Sequence, residues 1–255
     1  DLTFSTFKRT VIGGAACPSS MLRTFQEAHG IEVVHAWGMT ELSPIGTVGA
    51  MKAKHRATSP EDRYTTQAKQ GRAVFGVDMK IVDGLGNELA WDGATAGDLL
   101  VRGPWIASDY FLNQGDSPLV RDAAGQGWFP TGDVATIDAD GFMQITDRSK
   151  DVIKSGGEWI SSIEIENIAI SHPAIESAAC IAARHPKWDE RPLLLVVKRA
   201  GEPLTADEVL TYLRGRIAKW WTPDAVVFID ALPIGATGKV LKNRLREAFQ
   251  DYLLR

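Results

Sequence analysis

Lys239 sits behind a glycine-rich loop in "PIGATGKVLKNRL", residues 233–245, and is the first group in this chain whose setting suggests chemistry. The Gly235-Ala236-Thr237-Gly238 loop lets backbone amides approach an anion, and the lysine puts one positive charge on it. The same residues can make a surface turn before a helix. The spacing is not that of a Walker loop, because Val240 follows the lysine where that motif needs Ser or Thr. A second stretch, "VVHAWGMTELSP", ends an apolar run at Ala36 and delivers Trp37, Gly38, Met39, Thr40 and Glu41 into a loop. A flat aromatic can stack on a base, a hydroxyl can bond a phosphate oxygen, and a carboxylate can ligate Mg2+. A buried Trp plug beside a Thr-x-x-Ser turn explains the same letters.

A third stretch, "GWFPTGDVATID", places Thr131-Gly132-Asp133 where a loop turns into a strand, and an aspartate there can accept both hydroxyls of a ribose. It also reads as an ordinary turn. A fourth, "ITDRSKDVIKSGGEWISSIEIEN", alternates Arg148, Lys150 and Lys154 with Asp147 and Asp151 ahead of Gly156-Gly157. It can hold a polar ligand at a domain joint and bend there, or serve as a charge-balanced linker. Gly13-Gly14-Ala15-Ala16 closes the set: small residues that let a planar base lie against the backbone or that permit a tight turn.

Three textures position these stretches. "RTVIGGAA", "PSSMLRTFQEAHG" and "IEVVHAWG" read as strand, helix and strand, with Ser19 or Ser20 as N-cap and Gly30 as stop, one unit of a layered α/β sheet. Residues 71–146 carry short alternating runs between Asp-Gly and Gly-Asn turns, a β-rich meander or small barrel. After Arg148 the capping signatures Ser161-x-x-Glu164 and Thr205-x-x-Glu208 predict two helices, the second from Thr205 to Ala218. "SAACIAAR", "PLLLVVKR" and "AVVFID" predict strands, and a last helix is expected from about Val240 to Leu253, giving a small α+β unit. The expectation is a multidomain α/β and α+β chain: residues 1–148 with an α/β unit (1–66) and a β-rich subdomain (67–148), then residues 149–255.

Bulk composition limits the partners. The 255 residues, 44% apolar, are enough for large cores, and 28 basic against 32 acidic residues leave a net charge of -4. That balance offers no basic field for nucleic acid, so an anionic ligand must be held locally. Cys17 and Cys180 show no CxxC or Cys/His pattern, which argues against a disulfide framework or a zinc site and suggests a reducing cytoplasm. No apolar run reaches membrane-spanning length, no signal peptide is visible, and the start "DLTFSTFKRTVIGGAA" reads as entering mid-fold.

Taken in order, these motifs resemble the adenylate-forming superfamily. Within it the wording is most similar to AMP-forming acyl-CoA synthetases of the fatty-acid and methylmercaptopropionate branches, to which "KSGGEWISS" and "HPKWDERP" belong. The resemblance implies two steps: a carboxylate attacks the α-phosphate of Mg-ATP to give acyl-AMP and pyrophosphate, then the thiol of coenzyme A displaces AMP. It implies Lys239 as the adenylation lysine, Thr40 as a phosphate contact and Glu41 as a Mg2+ ligand. Gly14, Ala15, His35, Ala36 and Trp37, with Gly38 and Met39 following, match the nucleotide pocket, and Asp133 the ribose clamp. Arg148 matches a second ribose-side contact and Lys150 the hinge of a mobile C-terminal domain. Lys154 and Trp159 match positions that meet the nucleotide or the CoA channel, and Gly156-Gly157 the strand that admits pantetheine.

One departure stands out. The family's Ser/Thr/Gly-rich phosphate loop has no counterpart here, so the chain is expected to be the C-terminal half of a synthetase, inactive alone, with most of the acyl tunnel elsewhere. Ile45, Gly46 and Val48 are expected to border that tunnel. The substrates implied are a carboxylic acid, ATP and CoA, with room for a homodimer of the full-length parent. A luciferase-like enzyme, a peptide-synthetase adenylation domain and a non-catalytic nucleotide-binding module share parts of this pattern.

Overall fold

The computed structural model of the chain describes residues 5–15, 17–112, 115–235 and 238–254. Ala16, Ala236 and Thr237, named above, lie outside them. The chain divides into two compact units, Asp1–Ile145 and Thr146–Arg255. No helix among the described residues is long and apolar enough to cross a membrane.

In the first unit, β1 (Arg9–Ile12) pairs in parallel with β2 (Glu32–Gly38), and α1 (Ser19–Arg23) makes the crossover. That helix continues as a π-helical turn over Thr24–Ala28 and stops at Gly30, whose φ of 64° only glycine adopts cheaply. Its N-cap is Pro18 without a side-chain cap, and Ser19 and Ser20 fall inside the helix. Proline supplies the preset φ that opens the first turn, so the serine hydroxyls are not needed there. β2 extends two residues past Ala36, because β3 (Ile45–Val48) pairs with Trp37 and Gly38, and long-range pairing outweighs the local glycine. Trp37 therefore lies in a strand, not a loop. Beyond α2 (Ala53–Arg56) and α3 (Pro60–Ala68), β4 (Arg72–Ala73) completes a four-stranded sheet ordered β1-β2-β3-β4. Cys17, Leu22 and Val33 pack with Phe25 and Tyr64 to join α1 and α3 to that sheet.

The β-rich part is an antiparallel sheet of β5 (Asp78–Val82), β6 (Gly97–Arg102), β7 (Val120–Arg121), β8 (Gly127–Ile137) and β9 (Met143–Arg148), in an open path, not a closed barrel. Met79, Ile81, Leu99, Val101, Phe129, Ala135 and Ile137 make its core, and Trp37 and Leu42 are built into the same cluster.

The second unit is built on the long pair β12 (Ile175–His185) and β13 (Asp189–Lys198), flanked by β10 (Ile153–Ser155) with β11 (Glu158–Ile160), and by β14 (Ala225–Phe228). Strand periodicity sorts its two faces. Cys180, Leu194 and Val196 meet α4 (Ser162–Ile170) and α5 (Ala206–Leu213) on one side; Ala179, Ile181, Leu193 and Leu195 meet α6 (Lys242–Phe249) on the other. Both faces being covered explains the unbroken apolar run "PLLLVV". The Thr205 capping box forms as read, and Ser161 caps α4 through the Glu164 N–H. Two helices are shorter than read. α5 ends at Leu213 because Arg214 leaves helical geometry and Gly215 takes φ 77°. α6 starts only at Lys242, since Val240 is held in a bridge to Ile234.

Candidate active site

The carboxyl ends of parallel strands are where an α/β sheet leaves room for ligands. Here Ile12 pairs with His35, so the Gly13-Gly14-Ala15 turn runs beside Ala36 and Trp37. A Cβ at Gly13 would stand 3.2 Å from Ala36 O, and Gly14 takes φ 80°. His35 braces this turn from beneath. It is 1% exposed, with Nδ1 2.9 Å from Ala68 O and Nε2 3.4 Å from Ala15 O. The shorter contact marks Nδ1–H as the donor of a neutral ring. Burial lowers its pKa, and the two carbonyls pull the other way with less effect.

Trp37 is 7% exposed, and its indole Nε1–H donates to Asp133 Oδ2 at 2.9 Å. Asp133 gets there through a bulge. Between Asp98↔Val134 and Leu100↔Pro130 the ladder skips, and Thr131-Gly132-Asp133 loop out with Gly132 at φ 72°. Thr131 Oγ1 donates to Leu99 O at 2.9 Å and accepts from the Asp133 N–H at 3.1 Å, which anchors the bulge. The apparent turn tripeptide is thus a built kink that aims a carboxylate.

After β2, Met39 N–H donates to Pro44 O at 2.9 Å and closes a tight turn, with Thr40–Leu42 in one 3-10 turn. Gly38 is required: a Cβ there would fall 1.9 Å from Pro44 O. Thr40 is exposed at the rim. Glu41 Oε1 accepts from Tyr110 Oη–H at 2.9 Å, and its backbone oxygen from Ala107 N–H at 2.8 Å. The bond to Glu41 raises the Tyr110 pKa. Tyr110 carries no sequence motif and the residues alone did not reveal it. Among the described residues no cluster of three or more His, Cys, Asp or Glu could hold a metal ion. A single hard carboxylate fits Mg2+ when phosphates and water supply the remaining ligands, the usual arrangement for that ion.

The second unit holds the other named residues, in three places. Gly156 and Gly157, at φ 58° and 89°, form the two-residue turn between β10 and β11, with Lys154 paired to Trp159. Lys154 N–H donates to Glu190 Oε2 at 2.9 Å, and Gly156 N–H to Trp188 O at 3.1 Å. Arg191 is a hub that sequence reasoning passed over, although it lies in "HPKWDERP". Its guanidinium reaches Ser155 Oγ (3.3 Å), Asp224 Oδ1 (2.8 Å), Trp220 O (2.9 Å) and Thr222 O (3.0 Å), tying the glycine hairpin to the following segments. Lys239 is exposed on a short hairpin closed by Gly235 N–H to Lys239 O at 2.8 Å and Leu241 N–H to Pro233 O at 2.8 Å. Gly238 N–H also returns to Gly235 O at 2.9 Å. Arg148, the last residue of β9, and Lys150, in the turn that follows, are both exposed, and Asp151 N–H and Val152 N–H return to Arg148 O.

Beneath that turn lies a buried ionic cluster with no local sequence signal. Lys242 Nζ donates to Ser162 Oγ (2.5 Å) and pairs with Glu166 Oε1 (2.7 Å), and Asp147 accepts from Ser162 N–H (2.7 Å) and Arg148 N–H (2.8 Å). Burial pulls the lysine pKa down, but Glu166 and Asp147 together outweigh it, and the net shift is upward. Arg246, one turn on, reaches Asp151 Oδ1 at 2.5 Å.

Comparison with known proteins agrees with this geometry. Two successive family models match, AMP-binding enzyme over residues 2–111 and AMP-binding enzyme C-terminal domain over residues 164–239. The chain belongs to the AMP-binding enzyme family. It is 57% identical over 248 residues to a 3-methylmercaptopropionyl-CoA ligase of Ruegeria lacuscaerulensis, a match covering 97% of this chain and 45% of that protein. A medium-chain-fatty-acid–CoA ligase of Ectopseudomonas oleovorans is 54% identical, with 97% of this chain and 44% of the relative covered. Among solved structures, o-succinylbenzoate coenzyme A synthetase of Bacillus subtilis in complex with ATP and magnesium ion superposes with a TM-score of 0.78 at 29% identity, covering 95% of this chain and 47% of that one. The chain therefore spans about half the length of the curated relatives it matches.

Proposed function

We propose that this chain carries the nucleotide-binding part and the mobile C-terminal domain of an acid–CoA ligase, and that residues 149–255 are the moving part. A carboxylate oxygen attacks the α-phosphorus of ATP and the α–β phosphoanhydride breaks, releasing pyrophosphate. The CoA thiol then attacks the acyl carbonyl and AMP leaves. The observation that carries the reading is the Trp37–Asp133 hydrogen bond, which joins two expected nucleotide residues 96 positions apart in sequence. The Gly14-Ala15 turn braced by His35, together with Ala36, Gly38 and Met39, forms the floor on which the base lies.

Asp133 and Arg148 bind ribose. Thr40 contacts phosphate, and Glu41, oriented by Tyr110, is the protein ligand to Mg2+, which when bound neutralises phosphate charge. Lys239 brings its ammonium to the carboxylate and α-phosphate; a charge placed there contributes several kcal/mol to the first step. Lys150 is the pivot. Lys154, Trp159 and the Gly156-Gly157 turn serve the second step, where glycines let the pantetheine arm pass close to backbone. The acid is of the fatty or methylthio-propionate type, by likeness to the two relatives, and the full-length protein works in the cytoplasm as a homodimer.

The test separates the half-reactions in a full-length protein carrying these residues. Lys239→Ala should lower acyl-AMP formation by about a hundredfold or more while thioester formation from supplied acyl-AMP survives. Equal loss of both would sink the division of labour. For this chain alone, AMP titration of wild type against Asp133→Ala checks the ribose assignment, and robust ATP–pyrophosphate exchange would contradict its expected dependence on the other half.

A further inference from the structure

Helix α6 continues directly from the hairpin arm that carries Lys239. Only Val240 and Leu241 separate that lysine from Lys242, the first residue of the helix, and Arg244 N–H and Leu245 N–H already return to Leu241 O. Through Leu245 the helix rests on the apolar face made by Ala179, Ile181, Leu193 and Leu195. Apolar contact is non-directional, and on the face of a sheet it fixes the roll and axial position of a helix only loosely. Lys242 and Arg246, four residues apart and so on one side of α6, supply the direction. Lys242 Nζ meets Ser162 Oγ at 2.5 Å and Glu166 Oε1 at 2.7 Å, and the same Ser162 donates its N–H to Asp147 Oδ2 at 2.7 Å. Arg246 reaches Asp151 Oδ1 at 2.5 Å. Asp147 and Asp151 are both buried and bracket Arg148, Ser149 and Lys150, whose turn is closed by Asp151 N–H and Val152 N–H onto Arg148 O.

We infer, on the roles proposed above for Lys239 and Lys150, that Lys242 and Arg246 are positioning residues for the first half-reaction. They lock α6 to the two carboxylates that flank the pivot, so that the Lys239 hairpin and the pivot turn move as one rigid arm. Charge-assisted bonds are short and directional, which is what the apolar face of the helix lacks. A misplacement of about 1 Å at a reacting group costs about a hundredfold in rate, so the register of α6 decides how well a lysine three residues ahead of it is delivered. The Gly156-Gly157 turn is held from elsewhere, by Glu190 and Arg191 of β13. Loosening α6 therefore disturbs the lysine and spares the glycine turn.

The experiment measures both half-reactions in a full-length ligase carrying these residues, for wild type, Arg246→Met, Arg246→Lys, Asp151→Asn, Lys239→Ala and the double variant of Arg246→Met with Lys239→Ala. Arg246 is the residue to change because its side chain is 25% exposed, so its loss threatens the fold less than that of buried Lys242. Arg246→Met and Asp151→Asn should each lower kcat for acyl-AMP formation about tenfold or more with little change in KM for ATP, and leave thioester formation from supplied acyl-AMP within about twofold, Arg246→Lys lying between. The double variant should adenylate no more slowly than Lys239→Ala, because a residue that acts through the lysine then has nothing left to position. Equal loss in both half-reactions, additive loss in the double variant, or no loss at all would overturn the inference. An unimpaired Lys239→Ala would remove the role of Lys239 itself, and the inference with it. A second readout uses this chain alone and needs no turnover. In Arg246→Met the Leu241 N–H of the hairpin and the Val152 N–H of the pivot turn should lose hydrogen-exchange protection together, by about tenfold, while the Gly156 N–H is unchanged. Loss at Val152 with Leu241 unmoved, or equal loss at all three, contradicts the lock.

Discussion

His35 shows how a residue named for a ligand pocket works through the fold. Its ring is neutral and buried, so the unfolded chain binds a proton more readily than the folded one as the pH falls below about 6.5. The stability it contributes is complete above that pH and declines below it. His35→Gln should flatten the slope of unfolding free energy against pH between about 6.5 and 5 in urea titrations; an unchanged slope would assign the acid sensitivity elsewhere. Lys242 makes the opposite case. Replacing it by methionine leaves Glu166 and Asp147 buried without their cation and should cost about 3–5 kcal/mol, with Lys242→Arg milder, both read from chemical denaturation. The hydroxyl, carboxylates and ammonium of this cluster come from distant stretches, which is why no local pattern announced them.

At the level of elements, turn chemistry and alternation were the legible part. The two glycines between β10 and β11 are both at positive φ, but they are not equivalent. A Cβ at Gly156 would meet Trp188 Cε3 at 2.8 Å, whereas nothing stands within 4 Å at Gly157. Gly156→Ala should therefore destabilise by about 2 kcal/mol and Gly157→Ala by about 1 kcal/mol, compared by thermal melting. In a full-length protein the Gly157 change should also slow thioester formation more than adenylation. The Thr131-Gly132-Asp133 stretch reads locally as a turn and folds as a bulge, because only pairing of β8 with β6 shows that residues are left over. For the same reason strand β2 outruns its local ending, and α6 starts late because Val240 is bridged to Ile234.

On the scale of the molecule, texture in the sequence changes after Arg148, and compactness divides the chain between Ile145 and Thr146. The difference of three residues carries energy. Ser161 Oγ–H donates to Thr146 O, and Ser162 N–H donates to Asp147 Oδ2 at 2.7 Å, so both acceptors serve the second unit. A polypeptide of residues 146–255 should unfold cooperatively by itself, whereas one beginning at residue 149 should be less stable by about 3 kcal/mol, since the buried Ser162 N–H loses its partner. Equal stability of the two pieces would show that these bonds add nothing.

The order of short motifs, read from residues alone, was enough to determine the family, because spacing of Gly, Thr, Asp and Lys along a chain survives without knowledge of contacts. Capping also determined where α4 and α5 begin, since the Ser161 and Thr205 signals are local. Tertiary structure decided which residues work together: that Trp37 holds Asp133, that Tyr110 holds Glu41, and that Arg191 and Lys242 anchor the second unit. Each of these is a hydrogen bond or ion pair between segments tens of residues apart, and its strength depends on burial and direction, which only the folded chain supplies.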